Sequence, residues 1–139
     1  YPLDQNAYQC PKGMSAAEAT VNDGGVIIML ATCQDGHGGE PYYHSIADAE
    51  SADAFFQQCL HTPQVETLPD QWCAQIWCRI VRKYKVLFVA DKAQEQMIRD
   101  LKVEYFETLD EAYARARELK GPDATLACIP NGVSVVVKD

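Results

Sequence analysis

The chain has 139 residues, of which 47% are hydrophobic, enough for one domain with a substantial core. Its formal net charge is −8, with 12 Lys and Arg against 20 Asp and Glu, so it lacks the basic surface that nucleic-acid binding requires. No apolar run approaches the ~18 residues of a membrane span, and no signal peptide is visible. We therefore expect neither nucleic acid nor a membrane as a partner.

Cysteine and histidine usage predicts a protein without disulfides or metal. None of the six cysteines lies in a CxxC motif, and most occupy apolar stretches, which predicts buried, reduced thiols and a cytoplasmic location. The three histidines are His37, His44 and His61. Their spacing from one another and from the cysteines is not that of zinc ligands. No metal site is expected in this chain.

The first element with chemical character is a short polar stretch after an extended start. If residues 8–12 form a helical turn, Tyr8 and Lys12 share one face at i and i+4, with Gln9 beside them. A phenol, an amide and an ammonium so placed form a donor cluster suited to a carboxylate or a hydroxyl. A solvated turn with an isolated lysine is the alternative interpretation.

A capping box, a strand and a glycine-rich loop follow. Ser15 and Glu18 fit the capping-box spacing, which predicts a helix from residue 15 to about residue 22. Residues 26–31 are an apolar run typical of a parallel strand buried on both faces. The loop of residues 33–40 holds three glycines, at the edge of the sheet where α/β proteins bind ligands. A purely structural turn is the alternative for residues 36–39, and no phosphate-binding glycine motif is present.

Helices and strands alternate through the rest of the chain. Helices are predicted at residues 48–61, 70–83, 92–101 and 108–119, with a short helix or a lid at 41–46 and a linker at 62–69. Asp70 is predicted to cap its helix, whose first turn holds Trp72, a position more typical of packing than of function. Strands are predicted at residues 86–90, 103–106, 124–129 and 133–138.

This order of elements predicts an α/β fold. Asn131-Gly132 is a hairpin signal, so residues 133–138 are expected to form an antiparallel edge strand. The expected architecture is a three-layer sandwich, Rossmann-like, with a mostly parallel sheet of about five strands and an antiparallel edge hairpin. No complete catalytic set is visible in these residues.

Several segments resemble one known family. YPLDQNAYQCPKGMSAAEA and VIIMLATCQDGHGGE are similar to the start of the C-terminal domain of the nickel-dependent lactate racemases. Asp70-Gln71-Trp72 and the closing CIPNGVSVVVK also fit, so the resemblance covers nearly the whole chain. It implies that residues 1–139 are a single domain, the excised C-terminal part of a two-domain enzyme with its active site between the domains.

The resemblance also implies a reaction and a set of site residues. It implies a lactate (2-hydroxy acid) racemase, an isomerase that interconverts D and L forms by hydride transfer through a keto acid. Lys12 and Gln9 would bind the carboxylate or hydroxyl of the substrate, and Tyr8 and Trp72 would line the cleft near substrate or cofactor.

The resemblance also implies that the cofactor and the catalytic histidines lie outside this chain. The cofactor would be a nickel-pincer nucleotide, and the absent N-terminal domain would hold it and supply the histidines. The isolated domain is therefore expected to be inactive, and His37 and His44 are not assigned catalytic roles. The alternative function is a non-catalytic α/β module that binds a small carboxylate through Lys12.

Overall fold

The computed structural model describes residues 2–137, and its first regular element carries the polar stretch. A 3-10 turn at Ala7–Gln9 leads directly into helix α1, Cys10–Glu18. The predicted capping box is wrong, because Ser15 lies inside α1 and its hydroxyl donates to the carbonyl of Pro11 at 2.8 Å. The helix begins earlier than predicted because Pro11 occupies its first turn, where a missing N–H costs no hydrogen bond.

Among residues 2–137, three parallel strands form the sheet, which confirms the parallel α/β class. They are β1 (Val26–Leu30), β2 (Lys85–Val89) and β3 (Glu104–Phe106), in the spatial order β1-β2-β3. Ile28 pairs with Leu87, and Leu87 pairs with Glu104 across the next ladder. All three lie where the sequence predicts strands, at residues 26–31, 86–90 and 103–106, to within one residue at each end.

The other helices also lie close to their predicted positions. They are α2 (Glu40–Ala47), α3 (Ala52–His61), α4 (Gln71–Lys83), α5 (Glu95–Asp100) and α6 (Leu109–Lys120). Residues 41–46 are thus part of a helix. Short 3-10 turns at Gln64–Glu66 and Lys92–Gln94 precede α4 and α5. The longest of these helices has 13 residues, and none among residues 2–137 is long and apolar enough to cross a bilayer.

The core is centred on Trp77 of α4, which is fully buried. Its indole N–H donates to the carbonyl of Leu101 at 2.8 Å, which ties α4 to the end of α5. Its ring lies 6.1 Å from Phe88 on β2 and 6.3 Å from Tyr42 on α2. These contacts fix α4 against both the sheet and α2, and α4 carries Trp72 in its first turn.

The predicted sheet of about five strands with an edge hairpin is wrong. In the described part of the chain, residues 121–137 contain no strand, and position 138 lies outside it. The turn at Asn131 forms, since the N–H of Ser134 donates to its carbonyl at 3.1 Å, but no strands pair on either side of it. The apolar residues that predicted these strands are not covered, because Leu126 is 70% and Val136 is 84% exposed.

The cysteines follow the prediction in all but one case. All six are free thiols, four of them are buried and Cys59 is partly buried. Cys128 is exposed, so its predicted burial is wrong. The reason is the same as for the missing strands, because Cys128 lies in the predicted strand of residues 124–129, which does not form.

Candidate functional site

The candidate site lies where the start of α1 meets the start of α4. Tyr8 and Gln9 lie on the 3-10 turn, and Lys12 lies in the first turn of α1. The glycine-rich loop supports this turn through its backbone, because the N–H of Tyr8 donates to the carbonyl of His37 at 3.0 Å. The N–H of Ala7 likewise donates to the carbonyl of Gly36 at 3.1 Å. The loop therefore fixes the backbone from which the donor cluster projects.

Lys12 and Gln9 form a hydrogen-bonded pair. The Nζ of Lys12 donates to the Oε1 of Gln9 at 2.6 Å, on an exposed surface. An ammonium has three N–H donors, and an amide has two more on its nitrogen, so this pair retains several donors for a ligand. Because Gln9 is neutral, the contact leaves the positive charge of Lys12 in place. The pair is thus suited to an anion that carries a second polar group.

Tyr8 is held by Asp70, a residue far away in the chain. The hydroxyl of Tyr8 donates to the Oδ1 of Asp70 at 3.1 Å. Desolvation of the partly buried phenol, followed by this hydrogen bond to a carboxylate, raises the pKa of Tyr8. The neutral phenol is therefore the stable form at pH 7.

The sequence predicts that the side chain of Asp70 caps α4, and this prediction is wrong. Asp70 occupies the position before the helix, but its carboxylate makes no capping hydrogen bond and instead accepts from Tyr8. Its φ of 59° lies in the left-handed region, which aspartate tolerates better than most residues. Asp70 thus connects the start of α4 to Tyr8 on the 3-10 turn before α1.

Two aromatic contacts complete the surroundings of Tyr8. Its ring packs edge-to-face on Tyr42, with centroids 5.4 Å apart, and on Trp72, with centroids 6.2 Å apart. Trp72 itself is 54% exposed, so much of its indole is open to a ligand or another protein surface. Tyr8 and Trp72 also line a mostly apolar cavity of about 80 Å³, together with Pro11, Lys12, Ser15, Cys73 and Ile76.

The fold brings the four predicted site residues together. Tyr8, Lys12 and Trp72 line one cavity, and Gln9 is hydrogen-bonded to Lys12. Their roles in binding stay predictions. Asp70 is the additional residue of this site, and only its position two residues before Trp72 hints at it in the sequence.

The histidines take part in local structure. The Nδ1 of His37 accepts from the N–H of Gly39 at 3.2 Å, and its ring stacks on Tyr43 at 4.7 Å. His44 lies within 3.3 Å of a carboxylate oxygen of Glu40. Among residues 2–137, no three His, Cys, Asp or Glu side chains form a group that could hold a metal ion.

Comparison with known proteins points to one family. A family model described as the lactate racemase C-terminal domain matches residues 1–137. Lactate racemase from Lactiplantibacillus plantarum is 48% identical over 138 residues, which cover 99% of this chain and 32% of the relative. Lactate racemase from Thermoanaerobacterium thermosaccharolyticum is 42% identical over 139 residues, which cover 100% of this chain and 33% of the relative.

A solved structure is similar over the whole fold. The lactate racemase apoprotein from T. thermosaccharolyticum matches with a TM-score of 0.96 at 42% identity, covering 100% of this chain and 33% of that chain. This chain therefore spans about a third of the length of the proteins that it matches.

Proposed function

We propose that this chain, which belongs to the lactate racemase C-terminal domain family, forms the substrate-side domain of a 2-hydroxy acid racemase. Lactate is the first candidate substrate, since both curated relatives are named lactate racemases. The observation that carries the proposal is the Lys12–Gln9 pair at a small cavity walled by Tyr8 and Trp72. A 2-hydroxy acid has a carboxylate and a hydroxyl on adjacent carbons, and both can reach donors that lie so close together.

Each residue has a physical role in this proposal. The ammonium of Lys12 binds the carboxylate by a charge-assisted hydrogen bond, which is shorter and stronger than a neutral one. The amide of Gln9 binds the hydroxyl or the second carboxylate oxygen. Tyr8 and Trp72 form the apolar wall and exclude water. Together they hold the acid at one end while the configuration at C2 is inverted, which is a positioning role.

We further propose that the cofactor is a nickel-pincer nucleotide held mainly outside this chain. The residues described here offer no metal-ligand group, but the half-exposed indole of Trp72 fits contact with a flat ring. When bound, this cofactor supplies a carbon that accepts a hydrogen as hydride. This chain then binds the substrate and contacts one side of the cofactor.

The proposed protein has two domains and a cytoplasmic location. Relatives about three times as long as this chain support an N-terminal domain that supplies the catalytic groups, so the isolated domain is inactive. Six free cysteines support a reducing compartment, where disulfides rarely form. The proposed partners are the 2-hydroxy acid and the N-terminal domain.

The test is racemisation by the full-length protein loaded with its cofactor. Enantiopure 2-hydroxy acids are incubated with the enzyme, and chiral chromatography measures the product. Lys12→Ala is expected to lower kcat/KM by about 10- to 100-fold, the cost of one charged hydrogen bond. Lys92→Ala, which removes an exposed lysine from a 3-10 turn, is the matched control and is expected to leave kcat/KM unchanged.

Two outcomes would contradict the proposal. If loaded enzyme inverts none of the acids, the racemase function is wrong, and calorimetry with lactate tests the alternative carboxylate-binding module. If an acid is inverted equally well by Lys12→Ala, the reaction stands but the assignment of Lys12 is wrong.

A further inference from the structure

A run of exposed valines lies near the carboxyl end of the described chain. We call residues 133–137 the valine segment; its sequence is VSVVV. The four valines are between 38% and 84% exposed, and Val136 is the most exposed of them. β-branched residues favour strands, and an uncovered apolar run of this kind is typical of a surface that pairs or packs with another.

The backbone of the valine segment makes a single hydrogen bond among residues 2–137. Within the described residues its backbone hydrogen bond is the turn bond from the N–H of Ser134 to the carbonyl of Asn131. No strand of the sheet includes residues 133–137. Free N–H and C=O groups on a β-prone run are a template for strand addition, in which main-chain hydrogen bonds provide the affinity.

A close backbone contact holds the start of this segment next to the candidate site. A Cβ built on Gly132 would lie 2.8 Å from the Cα of Gly13, which is too close for any side chain. Gly13 is the residue after Lys12 in α1. The two glycines thus let the chain cross α1 in direct contact, and the valine segment follows one residue after the crossing.

We propose that the valine segment adds as a β-strand to the part of the full-length protein that lies outside this chain. The matched relatives carry about two thirds of their length beyond the region matched here, so they contain the additional polypeptide required. The contact at Gly13 places this strand beside Lys12, where it joins the two domains along one side of the cleft. The inference rests on the two-domain protein proposed above, and it is independent of the reaction.

Hydrogen–deuterium exchange of the full-length protein tests the proposal directly. In the wild-type protein without cofactor, the amides of residues 135–137 are expected to exchange at least about 100-fold more slowly than in an unstructured peptide. Val136→Lys is expected to abolish this protection, because a charge replaces the apolar contact. Val65→Lys is the matched control, since Val65 is 94% exposed and lies in the 3-10 turn before α4.

The outcomes separate this inference from the proposed function. Exchange of residues 135–137 at the rate of a free peptide would overturn it, whatever the racemase assay shows. Protection that rises with protein concentration would also overturn it, because the partner would then be a second copy. Protection of β2 in both variants verifies that the fold is intact.

Discussion

Tyr8 is the most constrained side chain of the candidate site. Its backbone is held by the carbonyl of His37, its hydroxyl by Asp70 and its ring by Tyr42 and Trp72. Tyr8 and Asp70 are 62 positions apart, so the sequence pattern around either residue gives no sign of the other. Asp70 before a helix is explained well enough as a cap, and only the fold gives its carboxylate a different partner.

Replacing Asp70 is expected to lower the pKa of Tyr8. The carboxylate accepts from the neutral phenol and repels the phenolate, and both effects raise that pKa. Asp70→Asn removes the negative charge and leaves a weaker, neutral acceptor. Asparagine tolerates the left-handed backbone, so the fold is retained. The pKa is measured from the ¹³Cζ shift of labelled tyrosine during titration, with Tyr8→Phe identifying the signal.

A second tyrosine–aspartate pair provides the control for this measurement. Asp100 accepts from the hydroxyl of Tyr43 at 2.6 Å, and this bond is the main cause that raises the pKa of Tyr43 to about 12. Asp100→Asn is expected to lower the pKa of Tyr43 and leave that of Tyr8 unchanged. An unchanged Tyr8 pKa in Asp70→Asn would show that Asp70 does not control the phenol.

At the scale of secondary-structure elements, the sequence correctly predicts the position of an element whose pattern has a local cause. β1 and the apolar part of β2 are runs of hydrophobic residues that pair in the sheet, and α6 begins at a complete capping box between Thr108 and Glu111. The predicted start of α1 is too late because Ser15 and Glu18 match the capping-box spacing, although the helix already begins next to Pro11. Apolarity alone cannot say what covers a segment, which is why the strands predicted at residues 124–129 and 133–138 are absent from the described part of the chain.

The capping box of α6 yields a stability prediction. The hydroxyl of Thr108 accepts from the N–H of Glu111 at 3.3 Å, and the carboxylate of Glu111 accepts from the N–H of Thr108 at 3.1 Å. Thr108→Ala removes the first bond and is expected to lower the free energy of unfolding by about 1 kcal/mol. Urea unfolding of the chain measures it, with exposed Thr125→Ala as the control. Equal values for both variants would contradict the role of the cap.

At the scale of the whole molecule, the groups that could contact a ligand lie close together. The cavity, the exposed indole of Trp72 and the Lys12–Gln9 pair lie together, and Gly132 crosses α1 beside them. A net charge of −8 does not oppose anion binding there, because the local ammonium determines the interaction at short range. The candidate site and the start of the valine segment therefore lie next to each other on this domain.

Two ion pairs of Glu104, one within the sheet and one with α6, predict how the stability of the chain depends on pH. Glu104 on β3 contacts Lys85 on β2 at 2.7 Å and Arg115 on α6 at 3.2 Å. The hydrogen bond from Lys85, and then the charges of both partners, hold the pKa of Glu104 below its usual value of 4.5. The stabilisation is therefore complete above pH 4.5 and is lost as the pH falls below 4.5 through the folded-state pKa.

Replacing Glu104 should remove this part of the acid sensitivity. At pH 7, Glu104→Gln is expected to lower the free energy of unfolding by about 0.5–1 kcal/mol, a size typical of partly exposed ion pairs. The difference from the wild type should shrink as the pH falls below 4.5 through the folded-state pKa of Glu104, because both proteins carry a neutral side chain at this position once Glu104 is protonated. Urea unfolding at steps across this range measures the difference, and Glu118→Gln, which removes only an exposed partner of Arg115, is the control. A difference that stays constant with pH would contradict the assignment, because it would mean that Glu104 stabilises the sheet through packing and not through its charge.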